Sequence, residues 1–330
     1  MTTIRALGLL SGGLDSTLAA RVLLDQGIDV VGLHLESPTA CRSQAGEVAR
    51  ELGITLHVRP KGEEYLRLLR HPRFGYGRNM NPCIDCRMFM LGLGQDYLEE
   101  HGAQFLFTGE VVGQRPMSQT ERSLALIDRA SGLEGRVVRP LSARLLPETE
   151  PERRGWIDRA RLLGISGRSR EVQLRMARDF GLTVFQSPGG GCLLTDASFS
   201  ERLRDLFVHT AETSTTVDDV ALLRIGRHIR VGPELKIVLG RDRDENGRLA
   251  AFESAERWGV EAVDFAGPSA IVCGEASERH LAEAVALMLR HAKPPGESAA
   301  VRWRWLGVEH RRPVRSFVSD IAREAPSAMA

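Results

Sequence analysis

The sequence predicts an α/β protein: a doubly wound parallel sheet followed by a second, smaller α/β domain. Three features carry that prediction. Residues 4–10 form an apolar run that reads as a buried strand, and it passes through Ser11-Gly12-Gly13-Leu14-Asp15-Ser16 into a segment, 17–24, with apolar residues at helical spacing. Strand-like and helix-like segments then alternate, which is the pattern of parallel strands joined by covering helices. Beyond about residue 198 the chain changes to short β-like runs, giving expected domains at 1–198 and 199–330.

The elements follow in order. Residues 29–35 read as the second strand, ending in His34, Leu35 and Glu36. Carboxyl ends of strands line the ligand crevice of a doubly wound sheet, so His34 and Leu35 form a lip where a base such as adenine can rest. A helix is expected at 43–52, a third strand at 54–58 and a helix at 63–69. Residues 71–82 break the rhythm with Gly, Arg, Asn and two prolines, then lead into Cys83 and Cys86 at the start of a helix reaching about Glu100. Residues 105–108 are a strand whose carboxyl end delivers the polar loop from Gly109 to Thr120, and 137–141 closes the sheet. In the second domain, strands are expected at 229–231, 236–239, 260–265 and 269–272 and around Trp303 and Trp305.

Composition sets bounds. With 330 residues, 42% of them hydrophobic and 26% charged, the chain is an ordinary globular protein long enough for two cores. No apolar run approaches the roughly 20 residues that cross a bilayer, and the first strand begins almost at once. Neither a membrane span nor a signal peptide is expected, and the protein is expected in the cytoplasm. The net charge of +1 argues against a strongly basic nucleic-acid binder. The arginines nevertheless cluster, at Arg153, Arg154, Arg159, Arg161, Arg168, Arg170, Arg175 and Arg178 and again at Arg302, Arg304, Arg311, Arg312 and Arg315. Such groups are either solvated helix faces or a path for an RNA backbone.

The hexapeptide after the first strand carries the first chemical signal. A strand that passes through two glycines into a helix leaves backbone N–H groups pointing outward with the positive helix end behind them, a cradle for phosphate. Gly12 and Gly13 let an anion approach, and Ser11 and Ser16 add hydroxyls at the rims. A Walker loop is excluded because no lysine precedes Lys61, and the spaced glycines of a dinucleotide fingerprint are missing.

The second signal is sulfur. Five cysteines in a chain expected to be cytosolic are not a disulfide framework. Cys83 and Cys86 form a CxxC at a helix N-terminus, where the dipole favours thiolate, and Cys192 follows the glycine run 189–191. Zinc would want a fourth ligand that is not evident. Three thiolates suit a [4Fe-4S] cluster with one iron left open, and equally a relay in which one cysteine carries a persulfide and another resolves it. Cys41 and Cys273 read as packing residues.

These motifs resemble a known family. Ser11-Gly12-Gly13-Leu14-Asp15-Ser16 matches the PP-loop pattern at every position, and with Gly109-Glu110, Gly113-Gln114, Ser118-Gln119-Thr120 and Arg139-Pro140-Leu141 it resembles the PP-loop domain of tRNA 4-thiouridine synthetases of the ThiI type. Asn81-Pro82-Cys83-Ile84-Asp85-Cys86 with Cys192 is similar to the cysteine arrangement of tRNA 2-thiouridylases. The C-terminal segment, especially 222–241, resembles the NFACT-R type of domain associated with RNA.

The resemblance implies a tRNA sulfurtransferase that uses ATP and Mg²⁺. Ser11, Gly12, Gly13, Asp15, Ser16, His34, Leu35, Gly109, Glu110 and Gln114 would bind ATP, with Asp15 orienting Mg²⁺ so that pyrophosphate can leave. A uracil oxygen would be adenylated, and sulfur from Cys83, Cys86 and Cys192, as a [4Fe-4S] site or as a relay, would displace AMP. Ser118, Arg153, Arg154, Arg168 and Arg170 are the expected RNA contacts. The partners implied are tRNA and a sulfur donor, sulfide or a persulfide carrier protein, with a homodimer left open. No RNA-capturing domain is expected ahead of the PP-loop and no rhodanese-like carrier behind it. Two alternatives use the same loop: a PP-loop amidoligase with ammonia as nucleophile, which has no use for three thiols, and a non-catalytic RNA-binding iron-sulfur module, which would not need an intact loop.

Overall fold

The computed structural model describes residues 3–40, 43–186, 191–305 and 308–317, so Cys41 and residues 187–190 of the glycine turn lie outside the described residues. The chain divides into two compact units, Met1–Ser200 and Glu201–Ala330.

The first unit is built on five parallel strands, β1 (Arg5–Leu9), β2 (Asp29–Glu36), β3 (Thr55–Pro60), β4 (Phe105–Thr108) and β5 (Val137–Val138), in the spatial order β3-β2-β1-β4-β5. Connections from β1 run to one side and those from β4 to the other. The chain direction therefore switches between β1 and β4, and a crevice opens at their carboxyl ends. The fifth strand is shorter than the expected 137–141 because the buried side chain of Arg139 turns inward and Pro140 has no N–H to donate.

Both faces of the sheet are covered. Phe105 and Phe107 point to one side and pack with Leu14, Leu18 and Leu23 of α1 (Leu14–Leu24), while Leu106 points to the other and packs with Leu91 and Leu98 of α4 (Cys83–Glu100). Strand alternation separates the two cores. Helix α1 begins three residues before the expected 17, since Gly13 caps it directly. The other helices of the unit are α2 (Ala45–Leu52), α3 (Gly62–Arg70), α5 (Glu121–Ala130), the single turn α6 (Glu150–Arg153), α7 (Glu171–Asp179) and the start of α8 (Ala197–His209).

The second unit holds six strands, all antiparallel to their neighbours, in the order β11-β10-β8-β9-β7-β6. They are β6 (Arg227–Gly232), β7 (Leu235–Leu239), β8 (Arg257–Val263), β9 (Ala270–Cys273), β10 (Ala300–Trp305) and β11 (Val308–Pro313), with helices α9 (Val217–Leu222), α10 (Arg243–Leu249) and α11 (Glu278–Arg290). Leu281, Ala284, Val285 and Met288 of α11, at helical spacing, close the core over Ile237, Val260, Val272 and Val301. The run of arginines and histidine in β11 hides that strand from a search for apolar alternation. No helix among the described residues is long and apolar enough to cross a membrane.

Candidate active site

The loop after β1 is shaped by what surrounds it. Gly12 adopts φ +76°, and a Cβ there would lie 2.5 Å from the Ala45 amide nitrogen, so only glycine fits. The first intrahelical bond of α1 is Thr17 N–H to the Gly13 carbonyl at 3.1 Å, leaving the N–H groups of Leu14, Asp15 and Ser16 ahead of it. Ser16 is buried and donates its hydroxyl to the Gly13 carbonyl at 2.9 Å, so it braces the loop from beneath; Ser11 stands exposed at the rim. Asp15 Oδ2 accepts from Gln114 Nε2 at 3.1 Å and lies 3.6 Å from Arg170, while Oδ1 is buried with no hydrogen-bond partner. Such an orphaned carboxylate oxygen beside a phosphate cradle fits a divalent cation.

The loop after β4 rests on this turn. A Cβ on Gly109 would fall 2.4 Å from the Ser16 nitrogen, so any side chain would lift residues 109–120 off the helix start. His34 Nδ1 lies 2.8 Å from the Leu10 carbonyl, which can only accept, so Nδ1 carries a proton and donates it there, fixing the ring at the strand end. Leu35 packs against the core beneath.

Glu110 departs from expectation. It is 3% exposed, with Oε2 accepting from Arg139 Nε at 3.0 Å and Thr108 Oγ1 at 3.1 Å, and with Oε1 3.4 Å from Arg87. Burial pushes its carboxyl up, but Arg139 and Arg87 more than offset this and hold it below the usual range. Arg139 is in turn gripped by Asp128 at 2.6 and 2.7 Å. Glu110 is thus part of the crevice floor and does not reach out to a nucleotide.

The thiols converge from distant parts of the chain. Asp85 accepts the N–H groups of Arg73 and Phe74 at 2.8 and 3.1 Å, folding residues 71–82 over the start of α4. Met80 N–H then donates to the Leu194 carbonyl at 3.1 Å and Asn79 Nδ2 to the Thr195 carbonyl at 2.7 Å. Leu193 N–H donates to Thr39 at 2.9 Å, beside a bridge between Ala40 and Cys192. At the other end of the same segment, Gln186 N–H donates to the Gly12 carbonyl at 2.9 Å. Gln186 is thus held at the phosphate loop, and Leu194 and Thr195 are held against the segment that precedes Cys83 and Cys86.

Two groups that the motifs did not reveal set the state of Cys86. Lys61 Nζ and the Tyr65 hydroxyl each lie 3.4 Å from its sulfur, and the ammonium also sits 4.3 Å over the Tyr65 ring. Burial alone would raise the Cys86 pKa; the Lys61 charge and the Tyr65 hydrogen bond reverse this and bring it below the ordinary thiol value. Cys83 is raised by burial, only partly opposed by Arg87 and Arg115, and its S–H donates to Asn81 Oδ1 at 3.0 Å. Burial, with Cys86 and Cys83 nearby, pushes Cys192 up to about 11. The expectation that the helix dipole makes both CxxC thiols acidic is thus corrected: Cys86 alone is lowered, and a lysine does it. Lys61 stands at the carboxyl end of β3, so the rule that marked the loops after β1 and β4 could have found it.

Among the described residues no three His, Cys, Asp or Glu side chains group as ligands of one metal ion. The three thiols still lie near enough to influence one another's charge, with Lys61, Arg87 and Arg115 around them.

The expected RNA contacts separate. Arg170 and the exposed Arg168 lie at the crevice, since Gly167 N–H donates to the Val112 carbonyl at 2.8 Å. Arg153 and Arg154 do not. Glu150 N–H donates to the Gly135 carbonyl at 2.7 Å, which holds α6 at the amino ends of the strands, and Arg154 there pairs with Glu150 at 2.6 Å. Ser118 is 1% exposed and lies against Cys83, so it is a wall of the thiol site and not a surface for RNA. In the second unit the four arginines of β10 and β11 are paired: Arg302 with Glu261, Arg304 with Glu253 at 3.3 Å, Arg311 with Asp264 at 2.7 Å and Arg312 with Glu278 at 2.9 Å.

Comparison with known proteins agrees with the resemblance drawn from the motifs. Residues 1–144 match the family model described as thiamine biosynthesis protein (ThiI), and residues 226–312 match the model described as NFACT protein RNA binding domain. The "Probable tRNA sulfurtransferase" of Acholeplasma laidlawii is 33% identical over 148 residues, covering 42% of this chain and 34% of that protein. The "tRNA-specific 2-thiouridylase MnmA" of Pelobacter propionicus is 32% identical over 111 residues, 30% of this chain and 31% of that one. The chain thus spans about a third of the length of these curated relatives. A solved 4-thiouridine synthetase in complex with RNA and bound ATP overlaps at a TM-score of 0.37 and 21% identity, over 66% of this chain and 52% of that one.

Proposed function

We propose, for a chain whose residues 1–144 carry a ThiI-type PP-loop domain and whose residues 226–312 carry an NFACT-type RNA-binding domain, that it thiolates a uridine of tRNA at the expense of ATP, releasing AMP and pyrophosphate. The observation that carries this reading is the crevice at the carboxyl ends of the strands, where Gln186 donates to the Gly12 carbonyl and Leu193, next to Cys192, donates to the Thr39 carbonyl just beyond β2.

The residues divide the work. The N–H groups at Gly12, Gly13 and the first turn of α1 would receive the triphosphate, with His34 and Leu35 as a lip for adenine. Asp15, kept in place by Gln114, would hold Mg²⁺ on Oδ1, where the ion neutralises charge on the departing pyrophosphate. A uracil carbonyl oxygen attacks the α-phosphorus, and the bond to pyrophosphate breaks. Sulfur at the thiol site then forms a bond to the activated carbon, and the carbon–oxygen bond breaks with AMP as leaving group. Lys61 and Tyr65, each 3.4 Å from the Cys86 sulfur, favour its thiolate form. Cys83, Cys86 and Cys192 are the residues that would hold a [4Fe-4S] cluster, which when bound supplies activated inorganic sulfur. Arg168 and Arg170 face the RNA from the crevice side, and the second unit holds it elsewhere. The chemistry belongs in the cytoplasm with tRNA.

The test is mass spectrometry of nucleosides from bulk tRNA incubated with the protein, ATP, Mg²⁺ and sulfide. Thiouridine is expected together with AMP, and Cys192→Ala is expected to bind ATP normally and make no thiouridine. Thiolation unchanged in that variant, or AMP formed with no thionucleoside, would overturn the reading.

A further inference from the structure

The carboxylates of the crevice face partners within the protein, Asp15 through one oxygen only. Glu110 serves Arg139 and Arg87, Asp128 serves Arg139, and Asp15 faces Gln114 and Arg170. Among the described residues two crevice arginines have no carboxylate, Arg168 and Arg115, and only Arg115 stands in the loop between the cradle and the thiols. Arg115 is exposed although Ser118 and Gln119, just beyond it in the loop, are buried, and among the described residues no carboxylate pairs with it. Its position is bracketed by its own loop: Gln114 touches Asp15 at the phosphate cradle, and Ser118 lies beside Cys83. Arg115 therefore spans the gap between cradle and thiols. Arg87 and Arg170 lie nearby as like charges, and so do the sulfurs of Cys83 and Cys192, which can carry the opposite charge.

A guanidinium crowded by other guanidiniums and given no protein counter-ion is poised for an anion from outside. Which anion follows from the order of the reacting atoms. If the proposed reaction holds, the α-phosphate lies at the cradle, sulfur lies at the thiols, and the uracil carbon must sit between them. A group abutting the thiols meets the acceptor strand before it meets ATP. Uracil is uncharged, so the anion there is a phosphodiester.

We propose that Arg115 binds an RNA phosphate next to the target nucleotide, through the two-pronged contact that a guanidinium makes with phosphate oxygens. The inference rests on the proposed tRNA substrate. It adds that the extruded nucleotide is held by its backbone, so that its carbonyl faces the α-phosphorus while the thiols wait behind its ring.

The experiment measures binding of unmodified tRNA, without nucleotide, across a salt series for the wild type, Arg115→Gln and Arg115→Lys, alongside ATP affinity by calorimetry. Loss of one phosphate contact should reduce the slope of log K against log salt by about 0.7 to 0.9 in Arg115→Gln, with ATP affinity unchanged and the slope restored by lysine. An unchanged slope in a folded Arg115→Gln would overturn the proposal, and so would a loss of ATP affinity, which would put the guanidinium on the triphosphate. Binding is read without turnover, so a protein that binds tRNA through Arg115 yet makes no thiouridine would refute the proposed reaction and leave this contact standing.

Discussion

Two groups of arginines look alike in the sequence and differ in what faces them. In the second unit, Arg302 lies directly across from Glu261 on β8, and Arg304, Arg311 and Arg312 each have a carboxylate. Arg302 and Arg311 are also cross-strand partners, an arrangement that would repel without those acids. In the crevice of the first unit, acids are fewer than cations, and Arg115 and Arg168 are without a carboxylate among the described residues. The contrast shows why composition misleads: a strand arginine with an acid in register is structural, and an arginine without one marks where an anion arrives.

The sharpest way to break the comparison is at the crevice acids. If Asp15 is reserved for the nucleotide and its cation, Asp15→Ala should lower AMP formation about 10²- to 10³-fold while leaving the thermal midpoint nearly unmoved. A normal rate of AMP formation would make Asp15 a structural acid like Glu261 of β8. Arg139 tests the opposite case, an arginine in the crevice that faces only protein. Arg139→Met would leave Asp128 without its partner and Glu110 with only Arg87, and breaking a buried pair in this way costs about 3 to 5 kcal/mol. Hydrogen exchange should show the loss across 1–200, with protection in 201–330 unchanged; a uniform loss would mean that the two units do not unfold separately.

Much of this was legible beforehand because it rests on short-range rules. Glycines between a strand and a helix, a polar loop at the end of β4, and a CxxC opening a helix all follow from local sequence and the parallel-sheet topology, and Gly12 and Gly109 sit where close backbone approach demands them. What escaped depends on which way a side chain turns. Glu110 occupies a loop position that suits a ligand contact equally well, and only the buried Arg139 behind it draws it inward. Arg153 and Arg154 sit in one sequence cluster with Arg168 and Arg170, yet the chain returns to the amino ends of the strands between β5 and α7, which puts the two pairs at opposite ends of the sheet. Lys61 and Tyr65 belong to no cysteine motif and act through tertiary contact with Cys86 alone.

The smallest expected effect lies in the second unit, at the ion pair of Arg241 and Glu245. Glu245 caps its own neighbourhood by accepting from the backbone N–H of Arg241 at 2.9 Å and from that residue's guanidinium. Those hydrogen bonds, led by the guanidinium and opposed by burial, bring its carboxyl down to about 2 from an ordinary 4.5. A carboxyl depressed in the folded state binds its proton more readily when unfolded, so its stabilisation is complete above about pH 4.5. It fades as pH falls from there through about 2. Glu245→Gln should therefore shift the thermal midpoint slightly at pH 7 and flatten its decline over that acid window, without touching tRNA affinity or AMP formation. If the variant instead weakened RNA binding, the paired arginines of this unit would no longer be purely structural, and the division between engaged and waiting cations would have to be redrawn.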